Sequence, residues 1–166
     1  LSHNALDHSS IEQLASGLVA SASVKRLFLL STRTNDAAVH LLAPGLKINT
    51  LEELVLARNG LSQHGVSAVG DALKAGKGVT NLDLSVNPLG DDGTVAAAVL
   101  ITEVRTLRAL SLSSVQCHLN GARALTSTLL RKSVKLQSLR FAKNPHLGIV
   151  ACFSVACMHS TLAPSL

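Results

Sequence analysis

The chain has 166 residues, of which 47% are hydrophobic, 15% charged and 2% aromatic, and its formal net charge is +5. This length suggests one domain, and the most apolar run, residues 94–102, is far shorter than the roughly 20 residues of a membrane-spanning helix, so we expect a soluble chain without membrane contact. With 3 Phe and no Trp or Tyr there are few rings on which bases could stack, which disfavours a nucleic-acid partner.

One apolar pattern recurs along the chain. Residues 51–61 (LEELVLARNGL) and 79–89 (VTNLDLSVNPL) share the pattern LxxLxLxxN, and residues 136–144 (LQSLRFAKN) follow it more loosely. A fixed period of this size predicts a stacked array of repeats rather than one globular core. The first apolar position of the pattern is occupied in successive repeats by Val24, Leu51, Val79, Leu107 and Leu136. The spacings between these residues are 27, 28, 28 and 29.

The chain opens in the middle of a repeat. Residues 1–23 match only the second half of the pattern and are predicted to form a half repeat, and full repeats begin near residues 24, 51, 79, 107 and 136 of a single domain spanning 1–166. Because the first strand and an initiator Met are both missing, we expect a segment of a longer protein, or an open end that a partner covers. In the half repeat, the residues that match the second half of the pattern are Asn4, Leu6, Ser10, Leu14 and Leu18.

Each repeat is predicted to contain a parallel β-strand, a loop and an α-helix. The apolar strand positions should point inward: Val24, Leu27, Leu29, Leu51, Leu54, Leu56, Val79, Leu82, Leu84, Leu107, Leu110 and Leu112. A small residue follows nine positions after the third apolar site: Ala38, Gly65, Gly93 and Gly121. The apolar residues four and eight positions farther on predict one buried helical face: Leu42 and Leu46, Val69 and Leu73, Ala97 and Ile101, Leu125 and Leu129. In the last repeat, the residues at the equivalent three sites, the small residue and the two apolar residues after it, are Val150, Ser154 and Met158.

The ninth position of the pattern is expected to hold an inward-facing Asn whose amide pairs with backbone groups of the loop. Asn4, Asn59, Asn87 and Asn144 fit this expectation, whereas Thr32 and Val115 do not. The loop of residues 32–36 is also unusually polar, with Thr34 where an apolar anchor is expected. Two interpretations stay open for that loop: local loosening, and contact with a partner.

The period, the motif and the full helix resemble the ribonuclease-inhibitor-like class of leucine-rich-repeat proteins, and the resemblance covers essentially all 166 residues. It implies an α/β solenoid of horseshoe shape, with a parallel β-sheet on the concave side and helices on the convex side. The class includes ribonuclease inhibitor, immune-receptor sensor ends, RanGAP, tropomodulin-like actin regulators and ciliary or cytoskeletal scaffolds, so the fold does not decide the function.

The sequence predicts no catalytic, cofactor or metal site. Residues 70–78 (GDALKAGKG) have the wrong spacing for a phosphate-binding loop and are interpreted as a glycine C-cap and a turn. The seven His occupy different phases of the repeat, so they form no ladder that could hold a metal ion. Asp36, Asp91 and Asp92 precede helices and are interpreted as capping carboxylates. The three cysteines are expected to be small core residues: Cys117, Cys152 and Cys157.

An apolar patch is the first candidate surface for a protein partner. Side chains alternate along a strand, so the outward positions of two neighbouring repeats should bring Phe28 and Leu30 beside Val55 and Ala57. An exposed apolar patch rimmed by charge is typical of a protein interface. The alternative is that an upstream segment covers it.

The basic C-terminal part is the second candidate surface. Residues 1–103 contain 7 Lys/Arg and 10 Asp/Glu, a balance of −3, whereas residues 104–166 contain 8 Lys/Arg and no acid, a balance of +8. Arg108, Arg140 and Lys143 should lie on or beside the strand face, which favours a partner with an acidic surface.

These observations predict a non-enzymatic protein-interaction or scaffold module of the cytoplasm, without a cofactor, that belongs to a larger assembly such as a cytoskeletal or ciliary one. One alternative is a GTPase-activating repeat protein resembling RanGAP, although the acidic tail of that family is missing and this end is basic. The other is a sensor fragment of a nucleotide-binding leucine-rich-repeat immune receptor, which would require a nucleotide-binding domain upstream.

Overall fold

Helices and strands alternate along the computed structural model, which describes residues 1–21, 23–48 and 50–144. The helices are α1 His8–Ala20, α2 Asp36–Leu46, α3 Gln63–Gly76, α4 Gly90–Glu103 and α5 Leu119–Leu129. The strands are β1 Arg26–Phe28, β2 Glu53–Val55, β3 Asn81–Asp83, β4 Ala109–Ser111 and β5 Ser138–Arg140. Outside the described residues lie Val150, Ser154, Met158, Cys152 and Cys157.

The strands form one parallel sheet in the order β1-β2-β3-β4-β5, and each helix packs against the next along the chain. This confirms the predicted α/β leucine-rich-repeat solenoid. The apolar strand positions predicted to face inward are all buried except Val24, which is half-buried. The predicted helical face is also buried, apart from the half-buried Leu129. In the described ranges no helix has the length and apolar character needed to cross a membrane.

Asn59, Asn87 and Asn144 are buried and pair with loop backbone groups, as predicted, whereas the inward position predicted for Asn4 is wrong because that residue is exposed. Asn59 Oδ1 accepts hydrogen bonds from Thr32 N at 2.8 Å and Thr34 N at 3.1 Å, while its Nδ2 donates to Leu29 O at 2.6 Å. Asn87 bonds the Asn59 loop in the same way, and Asn144 bonds the Val115 loop. Each amide therefore supports the loop of the repeat before its own.

The two departures from the asparagine pattern have different outcomes. Val115 has no side-chain acceptor for the preceding loop, where Leu89 N donates to Asn87 O at 2.8 Å and Gly90 N donates to Val115 O at 3.0 Å. Thr32 is fully buried, and its hydroxyl donates to Leu29 O at 2.9 Å. Thr34 is buried beside it. Hydroxyl pairing thus takes the place of the missing apolar anchor in this loop.

The carboxylates predicted to cap helices act across repeats. Asp36 Oδ1 accepts from Ser62 N at 2.9 Å, and Ser62 is the N-cap of α3. Asp91 Oδ1 accepts from His118 N at 2.7 Å and Gly121 N at 2.9 Å at the start of α5. Asp91 thus caps the helix of the following repeat, whereas Asp36 holds Ser62, whose own hydroxyl caps α3.

The helix end at residues 70–78 differs from the predicted glycine C-cap. Helix α3 ends at Gly76, and the left-handed capping residue is Lys77, with φ of 56°. A Cβ on Gly76 would lie 2.9 Å from Leu46 O. This glycine is therefore needed for close approach to α2, and the next residue takes the left-handed conformation.

Candidate protein-binding surface

The outward face of the sheet presents its side chains in register. One row crosses all five strands and is called here the Phe28–Arg140 row; its residues are Phe28, Val55, Asp83, Ser111 and Arg140. The parallel row beside it contains Arg26, Glu53, Asn81, Ala109 and Ser138. Chemical character changes along the first row from aromatic to acidic to basic.

A shallow groove of about 200 Å³ lies over β2 to β5. Val55, Asp83, Ser111 and Arg140 line it from the Phe28–Arg140 row, and side chains of the second row complete it. Two of its lining residues are hydrogen-bonded at their side chains: Asp83 Oδ1 accepts from Ser85 N at 2.9 Å, and the hydroxyls of Ser85 and Ser111 are 2.6 Å apart. The groove offers a polar channel with one basic end.

The expected apolar patch is smaller in the structure. Phe28 is 42% exposed and lies opposite the half-buried Val55, as predicted. Leu30 is half-buried and paired at its backbone, since Leu30 N donates to Ser2 Oγ at 3.2 Å and His3 N donates to Leu30 O at 2.8 Å.

The exposure expected for Ala57 is wrong, because this residue is only 5% exposed. Strand β2 ends at Val55, so the alternation of inward and outward side chains no longer holds two residues later. The backbone there is enclosed by both neighbouring repeats: Ser31 N donates to Ala57 O at 3.1 Å, and Arg58 N donates to Ser85 O at 3.1 Å.

The three basic candidates occupy different surroundings. Arg108 precedes β4 and folds back on the backbone, with Nη1 donating to Arg105 O at 2.9 Å and Leu107 O at 3.0 Å. Arg140 is exposed and lines the groove, whereas Lys143 is exposed in the loop that follows β5. Within residues 1–144 as described, neither Arg140 nor Lys143 forms an ion pair. The structure thus places only Arg140 of the three in the groove.

Sequence reasoning assigned no binding role to the acidic residues of the groove. Glu53 on β2 and Asp83 on β3 line it, both away from the β5 strand that carries Arg140. Their outward phase in the LxxLxL pattern was visible in the sequence. The register that aligns Asp83 with Phe28 and Arg140 is a property of the stacked strands.

The described residues contain no group of three or more His, Cys, Asp or Glu side chains able to hold a metal ion. Cys117 is fully buried, as predicted, and burial raises the pKa of its thiol to about 11. The thiol is therefore protonated at neutral pH and is a poor nucleophile.

Comparison with known proteins supports the repeat class. No protein-family model matches the chain. Human NACHT, LRR and PYD domains-containing protein 5 is 26% identical over 93% of this chain and 15% of its own length. Mouse ribonuclease inhibitor is 27% identical over 89% of this chain and 39% of its own length. Rat leucine-rich repeat-containing protein 73 is 28% identical over 82% and 54%. The chain thus spans about half or less of these relatives.

Among solved structures, Leiomodin-1 Actin-Binding Site 2 has a TM-score of 0.76 at 16% identity, covering 95% of this chain and 91% of that one. This likeness shows the fold. Together with the parallel sheet and the weak similarity to ribonuclease inhibitor, it establishes that the chain is a leucine-rich-repeat solenoid resembling the ribonuclease-inhibitor-like class.

Proposed function

We propose that the chain is a non-enzymatic protein-interaction module whose concave sheet face binds a segment of another protein. The observation that carries this proposal is the Phe28–Arg140 row, which has an exposed aromatic ring at one end and an exposed guanidinium, without an acidic partner among the described residues, at the other. The relatives support a protein partner, since one of them is by name an inhibitor of a ribonuclease.

The row also limits the geometry of the bound segment. Neighbouring strands lie about 4.8 Å apart, so four spacings separate Phe28 from Arg140 by roughly 19 Å. An extended chain covers that distance with about six residues at roughly 3.3 Å each. We therefore expect the partner segment to carry an apolar side chain and an acidic side chain about six residues apart.

Electrostatics would orient the segment. Glu53 on β2 and Asp83 on β3 repel an acidic side chain from that part of the groove, while Arg140 attracts one at the β5 end. An exposed ion pair with Arg140 is worth only about 0.2 to 1 kcal/mol, so most of the affinity must come from apolar contact at Phe28 and Val55. The charge pattern therefore contributes direction more than strength.

A peptide-display selection tests this function and requires no identified partner. Random twelve-residue peptides are selected on the wild-type chain and, in parallel, on Arg140→Glu. The wild type should enrich peptides with an apolar residue and an acidic residue about six positions apart, and Arg140→Glu should replace the acidic preference by a basic one. Arg123→Glu is the matched control, because Arg123 is also exposed but lies on α5.

Two results would contradict the proposal. One is that Arg123→Glu changes the enriched sequences as much as Arg140→Glu does. The other is that the enriched peptides still bind after Phe28→Ala and Arg140→Glu are combined, which would place the binding surface elsewhere on the solenoid.

We further propose that the chain works in the cytoplasm within a larger cytoskeletal or ciliary assembly. The basis is its own basic C-terminal part, which suits an acidic protein surface. Endogenous tagging of the full-length protein tests the setting: co-localisation with cilia or actin is expected, and exclusive localisation outside the cytoplasm would contradict it.

The sensor region of a nucleotide-binding leucine-rich-repeat receptor is a second candidate. The similarity to NACHT, LRR and PYD domains-containing protein 5 over 93% of this chain favours it. Sequencing the full-length transcript distinguishes the two candidates, because a NACHT-coding region in the same transcript supports the receptor and a transcript without one contradicts it.

A further inference from the structure

The loops that follow β1 and β2 enclose a second concavity, separate from the Phe28–Arg140 row. It is an open depression of about 420 Å³ lined by Ser31, Arg33, Asn35, Arg58 and Asn59. Two arginines from adjacent repeats thus meet around one hollow. We call it the Arg33–Arg58 depression.

Both guanidinium groups are available to a ligand. Arg33 and Arg58 are exposed, and neither forms an ion pair with an acidic group in the part of the chain that the structure describes. The acidic residue nearest to Arg33 in sequence is Asp36, and its carboxylate accepts hydrogen bonds from both the backbone N–H and the hydroxyl of Ser62. The depression is therefore basic, with its adjacent carboxylate already engaged.

Arg33 also occupies a backbone conformation that favours glycine. Its φ is 61°, and the equivalent position of the next repeat holds Gly60 with φ of 73°. A side chain raises the energy of this left-handed conformation, and such outliers persist where the surrounding structure enforces them. An arginine at this position therefore raises the conformational energy of the folded chain relative to a glycine there.

Buried hydrogen bonds at the floor of the depression hold the backbone segments that carry both arginines. Asn59 Oδ1 holds Thr32 N and Thr34 N on either side of Arg33, and Asn59 itself directly follows Arg58. Since these backbone segments are held by buried hydrogen bonds, little ordering of the loops is needed when a ligand binds.

The free donors in the depression suit carboxylates better than a phosphate group. A phosphate is commonly held by several free backbone N–H groups in a concave loop. Here Ser31 N donates to Ala57 O, Asn35 N to Arg33 O, and Arg58 N to Ser85 O, so these backbone donors are occupied. What remains is a pair of planar guanidinium forks, each of which matches the two oxygens of a carboxylate.

We propose that the Arg33–Arg58 depression binds an acidic peptide segment of a partner protein, with one side-chain carboxylate on each guanidinium. The site is distinct from the concave groove and does not depend on the function proposed for it. Such a contact would extend the interface from the sheet face onto the loop edge of the first repeats.

Fluorescence anisotropy with a labelled hexaglutamate peptide tests this site on the whole chain at low salt. The double variant Arg33→Gln/Arg58→Gln should raise the Kd at least fivefold. The matched control Arg123→Gln/Arg131→Gln removes the same two charges from exposed positions on and just after α5 and should change the Kd by less than twofold. Arg33→Gly relieves the left-handed backbone, so it should weaken binding while raising the unfolding midpoint, which separates loss of the site from loss of the fold.

Several outcomes would overturn the proposal. Equal losses in both double variants would mean diffuse attraction by net charge, and absence of binding to the wild type would mean that there is no site. If Arg140→Gln/Lys143→Gln abolishes binding and the Arg33 and Arg58 variants do not, the peptide occupies the concave groove, and the proposed function stands without this site. A phosphoserine hexapeptide that binds more than tenfold tighter than hexaglutamate through the same arginines would assign the depression to phosphate.

Discussion

At the scale of single residues, the asparagine amides couple one repeat to the next. Asn59 reaches two loop N–H groups and the Leu29 carbonyl, directly after β1, of the repeat before its own. Asn4 makes the intra-repeat part of this pattern, with Nδ2 donating to Leu1 O at 3.1 Å and Ser2 O at 3.2 Å, as Asn144 does to Phe141 O and Ala142 O. The contribution of this asparagine to the free energy of unfolding is therefore expected to differ between the exposed Asn4 and the buried Asn59.

Asn59→Ala should lower the free energy of unfolding by about 2 to 4 kcal/mol, because it leaves the buried Thr32 N and Thr34 N without acceptors. Asn81→Ala, at an exposed strand position, should change it by less than about 0.5 kcal/mol. Urea denaturation followed by circular dichroism gives both values. Equal effects from the two variants would contradict the coupling role of Asn59.

Val86 occupies an unfavourable backbone conformation, with φ of 58° and a side chain that is 41% exposed. β-Branched residues rarely adopt this conformation, whereas Asn tolerates it. Val86→Asn should therefore raise the free energy of unfolding by about 0.5 to 1 kcal/mol. Val95 is equally exposed at 41% but lies in α4, so Val95→Asn should give no gain in thermal midpoint.

At the scale of elements, the N-termini of α3 and α5 are supported by a carboxylate of the preceding repeat. Asp91 caps α5 from α4, and α5 has no capping hydrogen bond from its own N-cap side chain, His118. Although burial opposes ionisation, the backbone N–H groups of Gly121, His118 and Asn120 together lower the pKa of Asp91. The ionised carboxylate is therefore the form that stabilises the junction.

Asp91→Asn should cost about 1 kcal/mol of stability at pH 7. Because the folded pKa of Asp91 lies below the unfolded value of about 3.9, its contribution is complete above pH 4 and is lost as the pH falls through the folded pKa. The difference between wild type and variant should accordingly shrink below pH 4 in thermal melts. A difference that stays constant from pH 7 to pH 2.5 would contradict this assignment, and Asp92→Asn at an exposed position is the control.

The recurring small residue at the start of each helix also has a specific cause. A Cβ on Gly65 would collide with Asp36 Oδ1 and would lie 2.9 Å from Leu61 Cδ2. Gly65→Ala should therefore destabilise the chain by about 1 to 3 kcal/mol. Gly17, in α1, has open space around it, so Gly17→Ala should instead stabilise by up to about 1 kcal/mol. If Asp36→Ala does not reduce the cost of Gly65→Ala in a double-mutant cycle, the collision is not its cause.

At the scale of the whole molecule, periodicity made the fold predictable. The LxxLxL phase placed the inward leucines and the order of the strands, because each repeat stacks only on its neighbours. The surface was less predictable. The exposure predicted for Ala57 is wrong because strand alternation ends at Val55, and the sequence did not reveal that the Arg108 guanidinium turns toward nearby carbonyls. Thr32 and Thr34 show that buried hydroxyl pairs can replace apolar anchors.

Site-specific photo-crosslinking in cells tests most directly whether the concave face binds a protein partner. A photoreactive residue replaces Asn81, which is exposed and lines the groove on β3, or Ser67, which is exposed on α3 of the same central region. We expect discrete protein adducts from position 81 that disappear when Phe28→Ala and Arg140→Glu are added together, and none from position 67. Adducts from position 67 with none from position 81 would contradict binding at the concave face.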